Sequence, residues 1–164
     1  MDSKKVICVT GGVWTGSRSA PRRILVREGF VRPVWFTTGR PLTDAQYRQV
    51  SSTRFHLARS KKNVFAHIQY RGSFIGVMRD DFDTAMQQSS RGVLLVGPPE
   101  IAVQVANRFD SALVFALKGP RMAMPERLVA GVPATQLHRI DVDVLARGAW
   151  TDVHERMMEI IGQA

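Results

Sequence analysis

The chain alternates short apolar runs with amphipathic stretches. Val6–Val9 is β-branched and is stopped by Gly11-Gly12, so it reads as a buried strand feeding a tight turn. Ser19 to Glu28 follows with helical character. Pro21 is tolerable in a first turn, and Gly29 supplies a C-terminal stop. Val31–Phe36 reads as a second strand and Thr37–Pro41 as a loop. Thr43–Arg48 and Ser52–Ser60 read as short helices, the second capped by Ser51 or Ser52. Asn63–Tyr70 reads as a strand that turns through Arg71-Gly72-Ser73 into Phe74–Val77. Asp80–Ser90 is helical in pattern, with Asp80, Asp81 and Asp83 suiting its N-terminus and Gly92 ending it. Val93–Val96 and Ala112–Leu117 are continuous apolar runs, as expected of strands buried on both faces. Between them Pro99–Phe109 reads as a helix with Ile101, Val105 and Phe109 on one face. Thr151–Ile161 closes the chain as an amphipathic helix.

Strand and helix in alternation, with apolar strands, predict an α/β domain whose mainly parallel sheet is covered on both faces. Ligands of such sheets bind outside the carboxyl ends of the strands. The first strand-to-helix turn is therefore the place to look for chemistry.

Composition narrows the classes. A chain of 164 residues with 45% apolar positions fits one domain with a substantial core. One cysteine, Cys8, excludes an intramolecular disulfide framework and a Cys-rich zinc site. No apolar run approaches the ~20 residues of a membrane span. Met1–Lys5 leads into no secretory cleavage pattern, which predicts a cytoplasmic protein. The net charge of +9 is uneven: residues 1–72 carry 14 Lys+Arg against 3 Asp+Glu, and residues 73–164 carry 9 against 11. An anionic partner is expected at the first half, whether phosphate ligand, nucleic acid or acidic protein; the plain alternative is a solvated basic face.

The turn itself is Gly11-Gly12-Val13-Trp14-Thr15-Gly16-Ser17-Arg18-Ser19. Its spacing is that of a phosphate-binding loop, G-x-x-x-x-G-K-[ST], with Gly11 and Gly16 at the glycine positions. Glycine is needed there because backbone N–H groups curl around phosphate, and the following helix N-terminus favours negative charge. Ser17 stands where the phosphate-contacting lysine is expected and Arg18 where a hydroxyl holds magnesium, with Ser19 one residue late. An arginine at that position disfavours a divalent cation. The reading assigns anion binding to Gly11, Gly12, Gly16, Ser17, Arg18 and Ser19.

Across most of its length the sequence resembles the guanylate kinase superfamily, including the ribose bisphosphate kinases. Val6–Ser19 looks like the first strand and phosphate loop. Phe36-Thr37-Thr38-Gly39-Arg40-Pro41 is similar to the T-T-R-x-P-R segment, and Tyr47-Arg48-Gln49-Val50-Ser51 with Phe55 to Y-x-F-x-S-x-x-x-F. Phe65 to Val77, ending Gly72-Ser73-Phe74-Ile75-Gly76-Val77, resembles E-x-x-x-x-x-G-x-x-Y-G-[TV]. Arg91–Val96 looks like the central strand and Ala112–Leu117 like the next. The resemblance implies a three-layer P-loop kinase-like fold over residues 1–164. It implies a small substrate-capping subdomain at about 33–77 and a shortened lid at about 118–134.

The departures are systematic. The two arginines expected after the paired threonines are Gly39 and Leu42, with Arg40 beside the first, while Tyr47 matches the phosphate-contacting tyrosine. The acid that reads guanine is Ala66, the tyrosine and threonine of the second glycine turn are Ile75 and Val77, and the aspartate ending the central strand is Gly97. An apolar pocket cannot hydrogen-bond guanine. In the lid segment Arg121 and Arg127 are the cations left to stabilise a transferring phosphoryl group.

The resemblance therefore implies a degenerate guanylate kinase-like protein, a pseudokinase with lost or weak phosphotransfer, retained to bind an anionic ligand or a protein partner. Arg40 and Tyr47 would line the former acceptor pocket, and Arg18 and Arg127 would serve any surviving catalysis. ATP or ADP is the expected cofactor, with magnesium disfavoured by Arg18. One alternative is an active divergent ATP-dependent kinase of a nucleotide or sugar phosphate. The other is a nucleic-acid-binding module using the basic half. Four histidines, His56, His67, His138 and His154, show no metal-ligand spacing, so no metal site is expected. Met122, Met124, Met157 and Met158 read as packing or interface fillers, the latter consistent with a homodimer.

Overall fold

The computed structural model of the chain describes residues 3–11, 20–40, 47–119, 126–142 and 148–164. Nine strands and six helices lie among these: β1 Lys5–Gly11, α1 Ala20–Arg27, β2 Phe30–Val31, β3 Trp35–Thr37, β4 Tyr47–Gln49, α2 Ser52–Ser60, β5 Val64–Tyr70, β6 Ser73–Met78, α3 Arg79–Gln88, β7 Gly92–Val96, α4 Pro99–Arg108, β8 Leu113–Lys118, α5 Glu126–Val129, β9 Leu137–Asp141 and α6 Ala149–Gln163.

The continuous apolar runs do what burial on both faces requires. Strands β1, β7 and β8 form the middle of a five-stranded sheet ordered β2-β7-β1-β8-β9, in which every pairing is parallel. Alternate residues feed two separate cores. Val6, Cys8, Val93, Leu95, Val114 and Ala116 face α3 and α4. Ile7, Val9, Leu94, Val96, Leu113, Phe115 and Leu117 face α1 and α6. This is the expected α/β architecture, three layers around a mainly parallel sheet.

A second, four-stranded sheet is ordered β4-β3-β6-β5, with β3–β4 parallel and the rest antiparallel. It leans one face on the α3/α4 side of the central sheet, and α2 covers its other face through Phe55.

Several boundaries differ from expectation. Val31–Phe36 is two strands: Pro33 lacks the N–H a ladder needs, so the chain leaves the central sheet after Val31 and enters the second sheet at Trp35. Tyr47–Gln49 is a strand rather than the end of a Thr43–Arg48 helix, because its pairing with β3 outweighs local propensity; residues 43–46 lie outside the described ones. Ser89, not Gly92, caps α3. Gly92 instead opens β7 at φ 139°, where a Cβ would strike the Lys5 backbone. Strand β9 was not expected. It is held by Gln136, whose amide donates to the carbonyls of Ala106, Phe109 and Ala112 at 3.1, 2.7 and 3.0 Å and so ties the end of α4 to the start of β8.

Candidate functional site

The carboxyl ends of β1, β7 and β8 come together at one edge. Gly11 pairs with Leu117, and a Cβ on Gly11 would lie 2.9 Å from the Leu117 carbonyl oxygen, so glycine lets the end of β1 pass this close to its neighbour. Gly97 leaves β7 with its N–H donating to the Val9 carbonyl at 3.1 Å. Lys118, one residue beyond Leu117, is exposed at the end of β8. Thr10, one residue before Gly11, is 2% exposed, and its hydroxyl Oγ1 is a buried polar atom with no hydrogen-bond partner among the described residues. Of the anion-binding residues expected from the sequence, Gly11 is described. Gly12, Gly16, Ser17, Arg18 and Ser19 lie outside the described residues.

On the same side of the central sheet lies the inner face of the second sheet. Strand alternation puts Trp35 opposite Val77 and Thr37 opposite Ile75 on this face, with Ala66 opposite Val77 from the other side. Trp35, Ala66, Ile75 and Val77 are all buried in one apolar cluster that includes Val6, Cys8 and Val129. The Trp35 indole is 2% exposed and reaches Gly97: a Cβ on Gly97 would sit 2.7 Å from indole Cη2. Its ring centroid lies 6.2 Å from that of Tyr47, which is half-buried. The indole Nε1 is another buried polar atom on this side without a hydrogen-bond partner among the described residues.

The paired threonines are used structurally. Thr37 Oγ1 accepts from the Gly39 N–H at 3.1 Å, and Thr38 Oγ1 accepts from the Phe74 N–H at 2.9 Å, which fixes the loop to the tip of β6. Arg40 is exposed and makes no ion pair among the described residues. The structure thus brings Tyr47, Trp35 and Gly97 into one region, with Arg40 on the adjoining surface.

Arg127 stands exposed on the single turn α5, whose Val129 is fully buried against the α4 core. Its neighbour Glu126 is paired with Arg139 at 2.9 Å, whereas Arg127 has no ion-pair partner among the described residues. Residues 120–125 lie outside the described ones, Arg121 among them.

Two side chains of α4 hold the second sheet in place. Gln104 accepts from the His67 N–H at 3.1 Å and donates to the His67 carbonyl at 2.6 Å, and the Arg108 guanidinium donates to the Phe65 carbonyl. Strand β5 is an edge strand, so its outward backbone groups would otherwise be open; α4 closes them. His67 itself is held below its ordinary value of 6.5, first by burial and then by the nearby Arg59 and Arg108 charges.

Sequence reasoning missed Thr10, Trp35 and Gln104. A signal existed for Trp35, a large aromatic two places before the paired threonines. Thr10 and Gln104 carried none, because their importance arises from burial and from a contact 37 residues distant. Among the described residues no three of His, Cys, Asp and Glu gather as a metal would need, and no helix is long and apolar enough to cross a membrane.

An all-parallel sheet in the order 2-7-1-8-9, flanked by helices and joined by a small second sheet, is that of a P-loop kinase-like α/β fold. The particular version is guanylate kinase-like. The chain superimposes on the crystal structure of guanylate kinase from Anaplasma phagocytophilum with a TM-score of 0.62, covering 98% of this chain and 84% of that one. Identity over the match is 16%, so the likeness is one of fold. No family model matches the sequence, and no curated protein does.

Proposed function

We propose that this protein is a guanylate kinase-like binding protein that has given up guanylate phosphorylation. It keeps an anion site at the turn after β1. The observation that carries the reading is the Trp35 indole packed against Gly97, in one buried cluster with Ala66, Ile75 and Val77. By the sequence resemblance, Ala66 stands where the guanine-reading acid would, Ile75 and Val77 where the tyrosine and threonine of the second glycine turn would, and Gly97 where the aspartate ending the central strand would. Apolar side chains and a bulky ring there offer guanine no carboxylate to accept from its N–H groups and little room. Guanine does not fit these residues.

An anion fits better. The close turn at Gly11, the unpartnered hydroxyl of Thr10 and the exposed ammonium of Lys118 are donors or room for donors at a strand edge that favours phosphate. Gly12, Gly16, Ser17, Arg18 and Ser19 would complete the site through backbone amides and the Arg18 charge. Because Arg18 replaces the magnesium-holding hydroxyl, binding of ATP or ADP would not need magnesium. Arg40 and Tyr47 would border the former acceptor side.

A second reading, an active kinase of another phosphorylated small molecule, is favoured by Arg40 and Arg127, which are exposed and make no ion pair among the described residues. Calorimetry with ATP, ADP and GMP, each with and without magnesium, beside a phosphotransfer assay, separates the two. The pseudokinase reading expects ATP or ADP binding indifferent to magnesium, no GMP binding and no turnover. ATP consumption with a phosphorylated acceptor, lost in Arg18→Ala, would establish the second reading instead. Saturable GMP binding would overturn the filled-pocket argument.

A further inference from the structure

The outer face of the second sheet has a different character from the inner one. Between Tyr47 and Met78 the chain holds six cations, Arg48, Arg54, Arg59, Lys61, Lys62 and Arg71, and not one Asp or Glu. Two acids stand at the border, and both are engaged: Asp81 by Arg48 at 3.2 Å, and Asp80 by Asn63 at 3.4 Å. Arg54, Arg59, Lys61 and Lys62 are exposed and make no ion pair among the described residues. They surround α2, whose one buried residue is Phe55. The helix dipole accounts for cations at its C-terminal end, Arg59 and Lys61; it does not account for Arg54, near the N-terminus, or for Lys62 beyond the cap.

Aromatic groups stand among these charges. Exposed His56 meets the half-buried Phe74 ring edge-on at 5.5 Å, and Phe74 in turn is stacked 4.3 Å from the buried Phe55, so the pair is held rigidly from below. At the neighbouring hairpin tip the Arg71 guanidinium lies over the Tyr70 ring at 5.2 Å.

We infer that this outer face binds single-stranded nucleic acid. The cations would take backbone phosphates, with His56 and the edge of Phe74 as the platform for an unstacked base. Guanidinium forks suit phosphate oxygens, and a pre-supported ring suits a base face. An acidic protein partner is the less favoured occupant, because charge alone would suffice for it, whereas the exposed His56 ring supported by Phe74 among the cations adds a surface suited to a base. The site is separate from the cleft at the end of β1, so each can fail without the other.

Fluorescence polarisation with a labelled single-stranded RNA 12-mer of mixed sequence tests it on the full chain. Saturable binding should follow a log–log salt slope of about −3, four phosphates at roughly 0.7 each. R59A/K61A/K62A should weaken binding at least ~10-fold and flatten the slope by about 2. His56→Ala should weaken it ~5-fold or more with the slope unchanged, since it removes stacking rather than charge. Excess ATP should not compete. Each of three results would overturn the inference: poly-glutamate of equal charge binding as tightly, duplex binding more tightly than single strand, or full affinity in the triple variant with its circular dichroism intact.

Discussion

The two faces of the four-stranded sheet are separated by the thickness of one backbone, yet they carry opposite chemistry. The face toward the central sheet presents Trp35, Ala66, Ile75 and Val77 to a dry cluster. The face toward α2 presents Phe36 and Phe74 to a small aromatic core around Phe55, and that core is rimmed by cations. Period-two alternation makes this division possible, because residues 35 and 36, or 74 and 75, never share a side. What it teaches is where selection for a soluble ligand can still act. A face buried in the core can change only at a cost in stability, whereas a charged outer face can gain a partner without disturbing the core.

The sharpest way to break this comparison is Trp35→Ala. If the indole fills the inner face as a core residue does, its removal should cost about 3–5 kcal/mol, read by urea unfolding. A cost under ~1 kcal/mol would mean that the site is an open pocket with a ring lying in it. Gly97→Ala probes the same contact from the other side. The new Cβ would meet a rigid, buried indole at 2.7 Å, and a loss of about 1–3 kcal/mol is expected from the same measurement.

A smaller change should go the other way. Thr10→Val replaces a buried hydroxyl that has no partner by a methyl of similar shape, so stability should rise by about 1 kcal/mol in the ligand-free protein while ADP affinity falls. A loss of stability would show that the hydroxyl is already satisfied.

The smallest effect concerns the edge where the two faces meet, at His67. Burial, Arg59 and Arg108 hold its folded pKa below 6.5, so the unfolded chain takes up a proton that the folded chain refuses. Its contribution is complete above pH 6.5 and is lost as the pH falls from there toward the lowered folded value. His67→Gln should flatten the dependence of stability on pH in that window and leave it unchanged above. An undiminished slope in the variant would assign the effect elsewhere.

Much of the architecture was legible in the order of residues. The buried strands β1, β7 and β8 announce themselves as uninterrupted apolar runs, and Gly29 and Ser51 mark helix ends by local geometry alone. The mismatch of Ser17 and Arg18 with a magnesium-dependent phosphate loop is a matter of identity and spacing. Basic excess in the first half was a count, and its concentration between residues 47 and 78 could be read the same way.

Other features exist only through contacts distant in sequence. Strand β4 is local nonsense until β3 offers its backbone, and β9 depends on an amide of Gln136 that reaches back to α4. That Trp35 lies against Gly97, 62 positions later in the chain, is decided by how the second sheet leans on the central one. The chain by itself determined the layers and the charge, because these follow from hydrophobic period and composition. Only the tertiary structure decided which face of the second sheet packs on the central sheet and which packs under α2, because burial is a property of what two elements exclude between them.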